Sequence, residues 1–131
     1  MSTLVVSNIN DGTTTVPATY VTNGSAKAWV NLNGTGTIAT RNSLNVSSLT
    51  DSGTGQYRMN FTNSFTAVNY AFSGTAGDDR DGNSGFRGCN AGLWDSTTSN
   101  CLFNTAYIVS GGTRTSVDEP HATGIIQGDL A

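Results

Sequence analysis

The stretch AKAWVNLNGTGTIATRNSLNVSSLTDSGTGQYRMNF, residues 26–61, decides the fold. Over residues 26–33, Ala26, Ala28, Val30 and Leu32 fall on one side while Lys27, Trp29, Asn31 and Asn33 fall on the other. That alternation is the period-2 pattern of a half-buried strand. Trp29 is the exception on the polar side: either a loop covers it or it meets another subunit. Asn33-Gly34-Thr35-Gly36 turns the chain, and a short strand follows over residues 37–40. Residues 44–50 and 56–61 then read as a hairpin closed by Asp51-Ser52-Gly53-Thr54-Gly55. The second strand sends Tyr57, Met59 and Phe61 inward, with Gln56, Arg58 and Asn60 outward. These glycine-rich turns lack the spacing and the following helix of a phosphate cradle.

Upstream, residues 2–9 read as a strand with Leu4 and Val6 on one side, and Asn10-Asp11-Gly12 as a turn. Residues 13–25 are polar and carry Pro17 and Asn23-Gly24, too thin a segment to bury itself. Residues 1–25 are therefore expected to form an extended arm for oligomerisation or attachment, with Leu4, Val6 and Trp29 as the oligomer contacts. Downstream, residues 65–76 read as a strand buried on both faces, and residues 77–92 as a long Gly-, Asp- and Asn-rich loop. Leu93-Trp94 touches the core, residues 101–110 form a strand, residues 113–117 a short one, and residues 122–130 close the domain. Asp118-Glu119-Pro120-His121 is expected to be a turn or loop. The pattern is that of an all-β protein, an antiparallel β-sandwich or jelly-roll-like domain over residues 26–131.

Composition agrees. A chain of 131 residues suits one domain, and only 11% of its residues are charged. Gly, Ser, Thr and Asn abound, whereas Leu, Lys and Glu are too sparse for a long amphipathic helix. A net charge of −3 and a pI near 4.7 lack the basic footprint of a nucleic-acid binder. Five Phe, four Tyr and two Trp supply a core and argue against disorder. No basic, apolar leader and no membrane-length apolar run is seen, which sets the expectation of cytoplasmic synthesis without membrane insertion.

Catalytic chemistry is hard to assemble from these residues. His121 is the sole histidine, and scattered Ser residues do not make a triad, which is a matter of geometry. Glu119 is the sole glutamate, so no paired-carboxylate arrangement for glycoside hydrolysis is available. Asp78-Asp79-Arg80-Asp81-Gly82-Asn83 is oxygen-rich enough for Ca²⁺, yet Gly77 stands where an EF-hand needs its first Asp and no Glu closes the loop. It reads as a solvated loop tip, and no metal or other cofactor is expected. Cys89 and Cys101 read as reduced, buried thiols. A disulfide between them is the alternative and would contribute about 3 kcal/mol by closing the intervening loop.

One consecutive pattern goes further. Lys27-Ala28-Trp29-Val30-Asn31-Leu32-Asn33-Gly34-Thr35-Gly36-Thr37, Arg41, Asn45-Val46-Ser47-Ser48, Asp51-Ser52-Gly53-Thr54-Gly55, Tyr57 and Asn60-Phe61-Thr62 follow in order. This pattern resembles a family of small tail-fibre-like virion proteins of tailed bacteriophages, common in phages of marine bacteria and cyanobacteria. Met-Ser-Thr-Leu-Val-Val-Ser-Asn-Ile at the start and Ile-Ile-Gln-Gly-Asp-Leu-Ala at the end are similar to that family too. The likeness covers the N-terminal half and the last strand. Residues 77–121 follow no shared pattern, and Arg58-Met59 departs from the family's small polar and aliphatic pair.

The resemblance implies a structural or adhesive virion component made in the host bacterial cytoplasm. It implies a homo-oligomer, with trimers commonest among fibres, that contacts other virion proteins and a host-surface glycan or protein. It implies no enzyme and transfers no binding residue. Arg80, Phe86, Arg87 and Trp94 are the candidates for host or partner contact, because exposed aromatic and Arg side chains supply most interface energy. Glycan stacking on Trp94 stands beside a core role for the same ring. A head fibre or capsid decoration protein without a receptor role is the alternative.

Overall fold

The computed structural model describes residues 2–77, 86–91 (as backbone), 95–108 and 112–131. In chain order the strands are β1 (Asn8–Asn10), β2 (Thr15–Pro17), β3 (Ala26–Asn33), β4 (Ala39–Leu44), β5 (Val46–Gly53), β6 (Gln56–Phe61), β7 (Ala71–Gly77), β8 (Phe86–Ala91), β9 (Asn100–Ile108), β10 (Arg114–Ser116) and β11 (His121–Gln127). One short helix, α1 (Ala18–Gly24), lies between β2 and β3. Among the described residues no helix is long and apolar enough to cross a membrane.

All described pairings between strands are antiparallel, and the architecture is an all-β sandwich. One sheet has the order β4-β3-β11-β7. The other runs from β5 through β6 to β9. β6 pairs with residues 100–104 of β9, β10 with residues 106–108, and β8 with residues 103–108. A strand has two edges, so β6 and β10 lie end to end along one edge of β9 and β8 takes the other. β1 and β2 form a separate two-stranded hairpin. Its turn is held by the Asp11 carboxylate, which accepts from the Thr14 and Thr13 N–H groups and so has its pKa lowered to about 2.

Alternation sets the core. β3 turns Ala28, Val30 and Leu32 inward and β11 adds Ala122 and Ile126. Tyr57, Met59 and Phe61 of β6 meet them from the opposite sheet, with Cys101 and Phe103 of β9. The connection after β6 adds Phe65 and Tyr70, whose rings lie 5.0 Å apart, with Phe61 4.8 Å from Phe65. Each such ring removed from water contributes about 1.5–3 kcal/mol. The strand expected over residues 65–76 therefore begins only at Ala71. Its first half is a loop that plugs the core with two rings, and β7 buries neither face completely.

Other expectations need correction. Residues 2–6 form no strand, because no neighbouring strand offers them hydrogen bonds; only Asn8–Asn10 pairs, and residues 18–24 are helical rather than extended. The expected loop at residues 77–92 contains β8, which satisfies the open edge of β9. Asp118-Glu119-Pro120 is a loop as expected, but one packed against the sandwich rather than left in solvent. Asp118 accepts from the Gly55 N–H at 2.6 Å and from the Tyr57 hydroxyl at 3.2 Å. That hydroxyl in turn accepts from the Glu119 N–H, and Glu119 is fully buried. The Gly34 N–H donates to the Glu119 carbonyl at 2.9 Å, Arg41 donates to the Leu32 and Pro120 carbonyls, and His121 opens β11.

Two glycines make room for this junction. A Cβ on Gly34 would stand 2.0 Å from the Tyr57 hydroxyl oxygen. Gly55 has φ +63°, and a Cβ there would lie 2.5 Å from the Thr105 carbonyl oxygen. On the outer side of β6, Arg58 donates to the Asp95 carbonyl and to Asn100 and forms an ion pair with the Asp95 carboxylate. It thereby ties the 95–99 segment to the sheet.

Gly34→Ala should destabilise the fold by about 3 kcal/mol or more in chemical denaturation, since a rigid ring must move. Tyr57→Phe should cost about 1–2 kcal/mol by leaving Asp118 and the Glu119 N–H short of a partner. Burial raises the Tyr57 phenol from 10.0 to about 12. A raised phenol favours the neutral form in the folded state, so its share of stability is whole below pH 10 and is lost as pH rises through about 12. Tyr57→Phe should remove part of that alkaline loss, the remainder coming from Tyr70, which burial also raises to about 12.

Candidate functional site

Because β3 alternates, the residues it does not bury are presented on the outer face of its sheet. Trp29 stands opposite Leu44 of β4 and Ile125 of β11, and Ile125 stands opposite Ser73 of β7. Two residues along β3, Asn31 stands opposite Asn42 and Thr123, and Thr123 stands opposite Thr75. Two rows therefore cross the sheet side by side. One is largely apolar (Leu44, Trp29, Ile125) and the other carries amides and hydroxyls (Asn42, Asn31, Thr123, Thr75).

Between them lies a groove of about 410 Å³, lined by Trp29, Asn31, Ser73, Thr75, Thr123 and Ile125, with Val30, Gly74 and Gly124 beneath. Gly124 is required here. A Cβ would come 2.8 Å from the Phe72 ring, which fills the space from the core side. Thr75 and Thr123 hydroxyls bond each other at 2.8 Å. The Asn31 Oδ1 is buried and accepts no hydrogen bond among the described residues. Among the described residues no charged side chain lines the groove. Ile125 stays 41% exposed and Leu44 48%, so the apolar row faces water in the single chain.

Of the expected contact residues, Trp29 lies in this groove. It is half-buried, and among the described residues its groove is lined by strands of its own sheet. Leu4 and Val6 are exposed in the N-terminal segment. Phe86 and Arg87 belong to β8, opposite Ile108 and Tyr107, and not to a loop. Arg80, Trp94 and the acidic stretch Asp78–Asn83 lie outside the described residues. The partners of Trp29 (Asn31, Ser73, Thr75, Thr123 and Ile125) went unnoticed in the sequence. Alternation shows which of them face outward, but nothing local shows that β7 and β11 flank β3.

The possible Cys89–Cys101 disulfide is not formed. Cys89 pairs with Thr105, and Cys101 is four residues away along β9, about 13 Å at the rise of a strand. That is nearly twice the longest Cα separation a disulfide spans. Cys101 is a free, fully buried thiol whose pKa is raised by burial. Without prior reduction, both cysteines should alkylate in denaturant, and Cys101 should resist thiol reagents in the folded protein. Mass spectrometry of the labelled peptides reads both outcomes.

The chain matches no protein-family model, no curated protein and no solved structure.

Proposed function

We propose that this chain is a structural protein of a bacteriophage virion, a tail-fibre or receptor-binding component that assembles as a homotrimer and contacts the host cell surface without catalysis. The observation that carries this reading is the N-terminal segment. Leu4 and Val5 are 84% and 87% exposed, and Val6, Ile9, Val16, Tyr20 and Val21 also face water. Contiguous exposed apolar residues of this kind mark protein–protein contact. α1 has seven residues, buries none of them and contains β-branched Thr19, Val21 and Thr22. So short a helix is unstable in water by itself and needs a covering partner. The Gln127 side chain donates to the Gly24 carbonyl at 2.7 Å and ties the end of this segment to the sandwich.

A segment so built suits attachment to further copies and to other virion proteins. The resemblance of residues 27–62 to tail-fibre-like proteins supports the same role. Several copies presenting one surface would turn individually weak host contacts into firm attachment.

Light scattering of the purified protein should give a trimer. Leu4→Asp with Val6→Asp should dissociate it while the β-sheet circular dichroism is retained. A full-length monomer at micromolar concentration would remove the assembly argument. Recombinant protein should decorate susceptible cells, and antibodies should label virion tails; labelling of heads with no decoration of cells would make it a head fibre or capsid decoration protein instead.

A further inference from the structure

We infer that the groove on the outer face of the β4-β3-β11-β7 sheet binds a neutral saccharide. This inference deepens the host-contact reading of the protein and rests on it for its biological meaning, though not for its chemistry. The two rows that border the groove are separated by two residues along each strand, about 6.8 Å, comparable with the width of one hexose ring. A hexose has an apolar C–H face and a rim of hydroxyls, and the rows offer the matching pair. Trp29 and Ile125 provide a wall for the C–H face, and Asn31, Thr123 and Thr75 line the rim. Small-ligand sites are commonly built in this way, from apolar walls and a few placed polar groups.

The Asn31 Oδ1 sharpens the choice. It is a buried acceptor that lacks a donor among the described residues, at the wall of an open groove. This oxygen has no surface open to solvent, so the Asn31 amide must turn to present it; a ligand hydroxyl donating to it would then repay the desolvation already incurred. In the Thr75–Thr123 pair the Thr123 hydroxyl also donates to the Thr75 carbonyl at 3.4 Å, a long bond that a ligand oxygen in the groove could replace. Because no charged group among the described residues lines the groove, an acidic sugar gains nothing there over a neutral one. A site that pairs its buried polar atoms only through a ligand hydroxyl rejects analogues lacking that hydroxyl. Deoxy sugars missing the hydroxyl that meets Asn31 should therefore bind poorly.

The test uses the full chain. Two-dimensional NMR is recorded while neutral hexoses, N-acetylhexosamines and their disaccharides are added, with a uronic acid and deoxy sugars as comparisons. At least one neutral sugar should shift the Asn31 side-chain amide and the Thr123 and Ile125 signals, with a dissociation constant on the order of millimolar for one hexose-sized ligand. Asn31→Leu and Trp29→Leu should each weaken binding at least tenfold while signals from core residues such as Met59 stay in place.

Shifts confined to other regions, or none with any sugar, would overturn the inference. So would shifts at Trp29 and Ile125 that follow protein concentration alone, since a second copy would then occupy the groove. Cell decoration that persists in Asn31→Leu, with no sugar response in the parent protein, removes the groove and leaves host contact standing. A sugar response with no decoration of any cell keeps the groove and removes host contact.

Discussion

The hydroxyl of Tyr57 is the point on which the sandwich closes. It starts from β6, crosses one end of the core and ends against Gly34 at the tip of β3, where no side chain could stand. There it joins Asp118 and the Glu119 N–H, so both sheets and the approach to β11 share one polar knot beside the apolar core. A buried polar group left without partners costs more than the bond itself contributes, so the knot specifies geometry more than it adds stability. The β3–β4 turn, the hairpin tip at Gly55 and the entry to β11 each have one position that satisfies it. The outer-face groove depends on that registration, since its two rows line up only when β11 lies in one register between β3 and β7.

How much of this was legible from sequence follows the range of the interactions. The inward faces of β3 and β6 were readable because alternation is a local signal: Ala28, Val30 and Leu32 on one strand and Tyr57, Met59 and Phe61 on the other are all buried. The hairpin of β5 and β6 was readable from its glycine-rich tip. What failed was long-range. Asp118 and Glu119 look like solvent-seeking residues, and only the arrival of Tyr57 from some sixty residues away draws them inside. Residues 86–91 have a loop's composition and became a strand because β9 had an edge to fill. Residues 2–6 have a strand's composition but pair with no described strand. Trp29 showed that it faced outward, yet its neighbours across the sheet come from β11 and β7, whose register no local pattern reveals.

The two surfaces with a claim on function differ in kind. The N-terminal segment is apolar and weakly attached to its own domain, a surface that makes sense only when something covers it. The groove is rigid, set in the middle strands of a sheet, and has the mixed character of a small-ligand site. They meet on one strand, since the end of the N-terminal segment is tied to Gln127, two residues along β11 from Ile125 of the groove.

The order of strands in the groove-bearing sheet bears on how the protein is made. β11 follows every other strand in the sequence, yet it sits between β3 and β7. While the chain leaves the ribosome, β3 can pair with β4 on one side only, and its other edge stays open until residues 121–127 have been synthesised. Contacts between such distant segments form slowly, on the millisecond-to-second scale typical of sandwiches. During that interval the exposed edges of β3 and β7 can accept a strand from a neighbouring nascent chain as readily as their own. Crowded synthesis of many copies would make strand exchange the natural failure of this fold, and the speed with which β11 inserts would set the yield of correctly formed subunits.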